Sequence, residues 1–413
     1  MRITAVEAIP IQASMRPGDV YWGNQSWGRN KPSLSNAPGL PTGDDRSAYP
    51  YHWRSRAAYS QTVDTTLVKI TTDTGLVGWG EAKSPVAPTV TATIIRDLMT
   101  GLLLGEDPTN PALQWERLYG AMRIRGHHTG FWMEAMSGID IALWDLTGKA
   151  LGVPLSKLLG GNFRRRVKIY ASGIPGLRAD APPDAWQRLR ATAEDVRSRG
   201  FRAVKMGIGL GVAGDLRSVA TVRETLGPDF QIFTDAAAMY NLPDAIALGR
   251  GLEKLGVGWL EAPLPPEEIE GYARLSRSLD LPIASDLIFN RWQTRDLLLA
   301  GGVDVVQPDV CRAAGLTECK RIAELADAFG KAATPHVSIG SAIHFAASVH
   351  LAAALPNQSV MEFWYGANPL GNAIISEPFR VEQGYFHVPD GPGLGIDIRE
   401  SEVRRYAVQV ESL

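Results

Sequence analysis

Apolar and polar positions alternate along the first residues of the chain, and "ITAVEAIPIQ" (Ile3 to Gln12) predicts a β-strand. A second alternating stretch, "TTLVKITTDTGLVGWGEA", predicts a hairpin that turns at Asp73-Thr74-Gly75. Three helical stretches follow. The last, "GFWMEAMSGIDIALWDLTGKALG", puts Met136, Ile139, Leu143 and Leu146 at helical spacing ahead of Gly152 and Pro154. From "RVKIYASG" onward the rhythm changes. Short apolar runs ("VKIYAS", "FRAVKM", "FQIFTD", "GVGWLE", "LPIASD", "VDVVQPD", "KAATPH", "SVMEF") alternate with amphipathic segments. One of those segments, "GLTECKRIAELADAFG", carries Leu316, Cys319, Ile322, Ala326 and Phe329 inward and ends at Gly330. Eight alternations of this kind suit a (β/α)₈ barrel better than an open doubly wound sheet. The expected organisation is an α+β domain over 1–150, a barrel over 151–363, and a Pro/Gly-rich tail over 364–413 that returns to the first domain.

Between the first strand and the hairpin lie about forty residues without periodicity, a length that marks functional or disordered loops. They carry Trp22, Trp27, Tyr49, Tyr51 and Trp53, and disordered segments are poor in aromatics, so an ordered lid is expected over about 16–60. The net charge of -2 gives no electrostatic case for nucleic acid or an acidic membrane surface. No run of 18 apolar residues appears, and the N-terminus lacks the features of a signal peptide. Cys311 and Cys319 are too few for a disulfide framework. A cytoplasmic enzyme or binding protein is the default.

In barrels of this type the chemistry gathers at the C-terminal ends of the strands. Those ends read Lys205, Asp235, Glu261, Asp286, Asp309, His336 and Glu362, one ionisable group per βα unit. A single acid at a strand end also caps the following helix, so one position means little. A consecutive series is another matter. Neighbouring carboxylates repel unless something neutralises them, and a hard divalent cation held by oxygens, Mg²⁺ above all, is the economical solution.

The words "GWGEA", "SGIDIALWDLTGKALGVPLSKLLGG", "FTDAA", "WLEAPLPPE", "QPDVCRAAGLTE" and "TPHVSIGSAIH" carry a family resemblance. From Met1 to at least Asp397 the chain resembles the enolase superfamily, in its mandelate racemase-like subgroup. The resemblance implies a modified (β/α)₇β barrel capped by an α+β domain drawn from both termini. It also implies Mg²⁺ on carboxylates ending the third, fourth and fifth strands, abstraction of the proton α to a substrate carboxylate, and stabilisation of the enediolate. Asp235 and Glu261 match the first two ligand positions. At the third the family reads Pro-Ile-Ala-x-Gly-Glu, whereas this chain reads "PIASDLIFNRW". Without a gap the position falls on Leu287; with one deletion it falls on Asp286, which is preferred because the cation requires oxygen. The alternative is that Asp286 caps the next helix and the metal site is weak.

Asp309 and His336 match the family's dyad, in which the carboxylate fixes the imidazole tautomer and raises its basicity. Relatives with two lysines read Lys-x-Lys at the second strand; here the residues are Lys205-Met206-Gly207, so one base is absent and Lys205 is left as a cation near the substrate carboxylate. Glu362 matches a carboxyl group that hydrogen-bonds the enolising substrate. Arg312, His52, His127 and Trp364 are candidate substrate contacts, and His127, His128, Arg125, His52 or Tyr51 could supply an acid. His344 and His350 are expected to be packed or solvated. The resulting expectation is dehydration of a sugar acid (an aldonate or aldarate) to a 2-keto-3-deoxy acid. Cycloisomerisation of a sugar-acid lactone, or non-catalytic binding of an acid, are the other readings. The expected partner is a small carboxylate, with neither nucleic acid nor membrane, and the resemblance implies a homo-oligomer.

Overall fold

A computed structural model describes residues 1–15 and 62–408, so the expected lid, with Tyr51 and His52, lies outside the described residues. Strands β1 (Ile3–Ser14), β2 (Thr62–Thr72) and β3 (Val77–Ala82) form an antiparallel sheet in that order. The hairpin turns where expected. Gly75 adopts φ 82°, a backbone conformation that glycine enters without penalty, and its amide donates to the Thr72 carbonyl at 3.0 Å. Helices α1 (Pro88–Ile94), α2 (Pro111–Arg123) and α3 (Phe131–Leu151) follow, and α3 stops on Gly152 in the left-handed conformation. Helix α3 lies hard against β3: a Cβ on Gly80 would fall 1.9 Å from the Gly138 carbonyl oxygen. Only a glycine pair permits that approach.

The second unit alternates strand and helix: β4 (Arg166–Pro175), α4 (Pro183–Ser198), β5 (Ala203–Gly207), α5 (Val212–Leu226), β6 (Gln231–Asp235), α6 (Leu242–Lys254) and β7 (Leu260–Glu261). It continues with α7 (Ile269–Ser278), β8 (Ile283–Ser285), α8 (Arg291–Leu299), β9 (Val305–Val306), α9 (Gly315–Ala328), β10 (Ala332–Ala333), α10 (Ala342–Ala354) and β11 (Met361–Trp364). All eight strands run parallel, in the order β10-β9-β8-β7-β6-β5-β4-β11. The ends of the sheet approach each other where the Ala333 amide donates to the Asn357 carbonyl at 3.3 Å and the Thr334 hydroxyl donates to the Val360 carbonyl. Seven helices link the eight strands, and no helix directly follows β11, so the barrel is of the (β/α)₇β kind and not eightfold. Leu316, Cys319, Ile322 and Ala326 of α9 are fully buried, but Phe329 is 39% exposed. The α-helix ends at Ala328, and Phe329, as its C-cap, leaves the inward stripe.

The tail adds β12 (Tyr385–His387) antiparallel to the start of β4, then α11 (Glu400–Tyr406). It reaches the first sheet: the Val408 amide donates to the Pro10 carbonyl at 2.8 Å, and Glu400 pairs with Lys69 at 2.8 Å. Buried carboxylates join the two units. Asp145 accepts from the Trp79 and Leu394 amides, both at 2.9 Å, and Glu81 accepts from the Ser341 amide at 3.0 Å. Asp140 accepts from the Thr317 amide at 2.9 Å and the Thr317 hydroxyl at 2.6 Å, which fixes the start of α9 beneath α3. No helix among the described residues is long and apolar enough to cross a membrane.

Candidate active site

On a strand, residues two apart share a face. Inside the barrel, Tyr170, Ala203, Phe233, Trp259, Ala284, Val305 and Val360 form an apolar cluster with Ala332 against it. Two residues beyond each stands a polar one: Ser172, Lys205, Asp235, Glu261, Asp286, Gln307, Glu362 and Thr334. Two beyond Gln307 and Thr334 come Asp309 and His336. The floor is therefore apolar, with Phe233 stacked on Trp259 at 3.7 Å between centroids, and the ionisable groups sit above it at the mouth. This register also places the third acidic position. Asp286 continues the inward face of Ala284; Leu287 follows Ser285, and its amide turns back to the Ser285 hydroxyl at 3.2 Å.

Lys205 is the centre of the lower ring. Its Nζ lies 2.7 Å from Glu261, 2.9 Å from Glu362 and 3.4 Å from Asp235. Glu261 also accepts from Gln307 Nε2 at 2.9 Å and Trp259 Nε1 at 3.2 Å. Burial works against the Lys205 cation, yet Glu261, Glu362, Tyr170 and Asp235 together hold its pKa well above the ordinary value. Burial pushes Asp235 and Glu261 up; Lys205 opposes this, while Asp286 and the other carboxylates add to it. For Glu362 burial acts upward, but Lys205, His336 and hydrogen bonds from Ser172 and Lys205 prevail, and its pKa falls. One ammonium does not neutralise this many acids.

Asp309 is the centre of the upper ring, and it is fully buried. Its Oδ2 meets His336 Nδ1 at 2.9 Å and Lys83 Nζ at 3.0 Å; its Oδ1 accepts from the Cys311 amide at 2.8 Å. His344 Nε2 stands 3.0 Å from Oδ1, in ion-pair range but off the line of a well-directed hydrogen bond. Burial would raise the Asp309 carboxyl; the His344 and Lys83 charges and the His336 hydrogen bond overturn this and hold it well below the usual range. With Nδ1 occupied, the Nε2 of His336 is the free face of the ring, 3.6 Å from Asp286 and 3.7 Å from Glu362.

Of the residues singled out in the sequence, Lys205, Asp235, Glu261, Asp286, Asp309, His336 and Glu362 thus converge at one mouth. Arg312 joins them, 3.7 Å from Asp286 and stacked over Phe289. Trp364 stands at the edge, lining a cavity of about 380 Å³ with Ser338, His344, Phe363 and Asn368. His127 makes no side-chain contact with these residues among the described ones, although its loop meets the rim where the His128 carbonyl accepts from Asn290 Nδ2 at 3.1 Å. His127 is exposed on the loop before α3, its amide bonded to the Met122 carbonyl at 3.4 Å. His350 is packed, as expected, but His344 is a partner of Asp309 and not a bystander. Lys83 escaped the sequence reading altogether; the signal was its place directly after "GWGEA", at the end of the hairpin strand that reaches the barrel.

The donors suit a hard divalent cation: burial pushes the Glu261 carboxyl well up, with Asp235 and Asp286 adding to it, and Glu261, Asp286 and His336 offer ligand atoms within 4.8 Å of one another. This group fits Mg²⁺, and Asp235 stands beside it, 3.4 Å from the Lys205 Nζ that also meets Glu261. The arrangement as a whole sets the His336 imidazole, bound through Nδ1 to Asp309, beside a ring of carboxylates around the Lys205 ammonium and above an apolar floor. Gly207 offers no side chain on the Lys205 face of β5.

Comparison with known proteins gives the same picture. Residues 45–160 match the mandelate racemase / muconate lactonizing enzyme N-terminal domain, and residues 188–402 match the enolase C-terminal domain-like family. The chain is 38% identical to D-galactarolactone cycloisomerase of Agrobacterium fabrum, over 82% of this chain and 90% of that protein. It is 33% identical to arabinonate dehydratase of Saccharolobus solfataricus, over 82% and 89%. Among solved structures it resembles the 3,6-anhydro-D-galactonate cycloisomerase of Zobellia galactanivorans, with TM-score 0.82 and 30% identity over 99% of this chain and 100% of that one. A racemase from Streptomyces coelicolor with bound magnesium matches with TM-score 0.81 and 25% identity, over 98% and 100%.

Proposed function

We propose that this chain, which belongs to the mandelate racemase/muconate lactonizing enzyme family of the enolase superfamily, dehydrates a sugar acid to a 2-keto-3-deoxy acid. The observation that carries the reading is the single oriented base: His336 bound through Nδ1 to Asp309 with Nε2 turned to the mouth, and only Gly207 where a second base would stand. His336 Nε2 takes the α proton, and the C–H electron pair becomes the carbon–carbon double bond of the enediolate. Asp309 keeps the ring in the tautomer that can accept and stabilises the imidazolium that forms. Lys205 and Glu362 face the carboxylate end of the substrate, where negative charge grows. Asp235, Glu261 and Asp286 would hold Mg²⁺, which when bound would supply Lewis-acid stabilisation of that same charge. Collapse of the enediolate expels the β-hydroxyl, which leaves as water once protonated, and the enol tautomerises to the ketone.

A second reading shares the first half of this chemistry. Cycloisomerisation of a sugar-acid lactone is favoured by the likeness to two cycloisomerases, and it too needs one base. The test is a panel of aldonic and aldaric acids, D-galactonate and D-arabinonate included, together with galactarolactone, followed by 2-keto acid formation with and without chelator. An aldonate converted in a Mg²⁺-dependent way supports dehydration; conversion of the lactone alone supports the second reading. Absence of α-proton exchange with every acid would leave a binding protein.

A further inference from the structure

Dehydration needs a proton for the departing hydroxyl, and His336 has just accepted one from carbon. We propose that Glu134 supplies the proton that the leaving hydroxyl carries away, an inference that rests on the elimination chemistry above. Glu134 lies in the first turn of α3, the helix that packs on β3 and on the start of α9. One turn further along, a Cβ on Gly138 would fall 3.0 Å from the Ala82 amide, next to Lys83; two residues beyond it Asp140 grips Thr317 at the start of α9, and just before the helix the His128 carbonyl accepts from Asn290 Nδ2 at 3.1 Å, at the rim. The helix therefore points its first turn at the same rim that holds Asp309 and Arg312.

The charged groups that act on Glu134 are Arg312, Lys83 and Asp309, all three of them residues of the mouth. Both cations are engaged elsewhere: Lys83 meets Asp309 at 3.0 Å, and Arg312 stands 3.7 Å from Asp286. Glu134 Oε2 is buried and has no hydrogen-bond partner among the described residues. Glu134 as a whole is half-buried, so an ionised carboxylate here loses part of its hydration without replacement, whereas the neutral acid loses less and keeps a donor. Burial accordingly outweighs Arg312 and Lys83, Asp309 adds to it, and the pKa is pushed up to about 7. That value suits a group that must be protonated before the reaction and ionised after it.

The step balances. The Glu134 O–H bond breaks and its proton bonds to the β-oxygen. The C–O pair goes to that oxygen and water leaves. Glu134 remains as a carboxylate near Lys83 and Arg312, and regains its proton from solvent. A separate acid on α3 also frees His336 from returning the proton it took.

The Glu134→Gln variant keeps the shape and removes the transferable proton. With the aldonate that turns over in the panel, incubated in D₂O, the variant should exchange the α proton at close to the wild-type rate while 2-keto acid formation falls by about 10²–10⁴-fold. The 3-deoxy-3-fluoro counterpart should be eliminated by both proteins at similar rates, because fluoride departs without a proton. Retained exchange also shows that the variant is folded. Should it not fold, Glu134→Ala assayed on the fluoro acid repeats the reading. Undiminished dehydration overturns the assignment, as does exchange that falls in parallel with dehydration or fluoride loss that falls with it. If only a lactone is converted, and the variant converts it normally, the acid role is wrong while the elimination stands, since a lactone's ring oxygen leaves as a carboxylate. If the wild-type protein neither exchanges an α proton nor forms a 2-keto acid from any acid of the panel, the elimination reading has failed and Glu134 has no role to fill.

Discussion

His336 acts only in the company that Asp309 keeps. Asp309 is buried and bound by an imidazole, an ammonium and a backbone amide, with a second imidazole 3.0 Å away. His336→Asn keeps the size and loses the base, so α-proton exchange should fall by at least about 10²-fold in a deuterium wash-in assay; exchange at the wild-type rate would assign the base elsewhere. Lys83→Met should leave the Asp309 charge less compensated and the His336 ring less firmly held. We expect kcat to drop while KM changes little, because Lys83 touches the dyad and not the substrate. A change confined to KM would make Lys83 a substrate contact instead. The dyad itself was legible, since both members follow strands at barrel spacing. Lys83 and His344 were not: one comes from the hairpin and the other from α10, and only the tertiary fold brings them to Asp309. Glu134 hid for the same reason, within a helix whose apolar stripe explained it well enough.

At the level of elements, the period of two on the strands did most of the positional work. It sorts floor from rim without reference to length, which matters because β7, β9 and β10 have only two residues each in ladder geometry. It also favours Asp286 over Leu287, a choice the linear alignment left to the chemistry of the cation. Helix ends were less legible: Phe329 continues the stripe of α9 in sequence, but the helix stops one residue short of it. The contact of α3 with α9 rests on Asp140, whose pKa burial pushes up to about 7, with the Thr317 hydrogen bonds and Arg321 opposing. The sign follows. The folded value lies above the unfolded 3.8, so the native state binds more protons between the two, and the stability tied to Asp140 is intact at low pH and lost as pH rises toward 7. Asp140→Asn should remove that slope, which is at most about 1.4 kcal/mol per pH unit. Melting curves of the two proteins across this range should diverge in favour of the variant as pH rises; parallel curves would show that Asp140 is ionised throughout.

Over the whole molecule, the site is a joint product of two units. The barrel supplies His336, Lys205 and the carboxylates around it, while the N-terminal unit supplies Lys83 through β3 and the packing of α3 on α9. This division makes the reaction one-sided. Gly207 pairs with Asp235 at the end of β5, two residues beyond Lys205 and on the same face, and it carries no group that could take a proton. Lys205 itself is held by Glu261, Glu362 and Asp235, and its pKa stands well above the ordinary value, so it acts as a fixed cation and not as a base. Among the described residues only His336 is then placed to remove the α proton under the proposed reaction, and it approaches from one side. A substrate epimeric at the α carbon presents its hydrogen to the glycine side and should remain unexchanged. In D₂O, deuterium should therefore enter a single α configuration, and recovered substrate should show no inversion by NMR or chiral chromatography. Interconversion of α epimers at a rate comparable to turnover would falsify this, because it demands a second base on a face that β5 leaves bare.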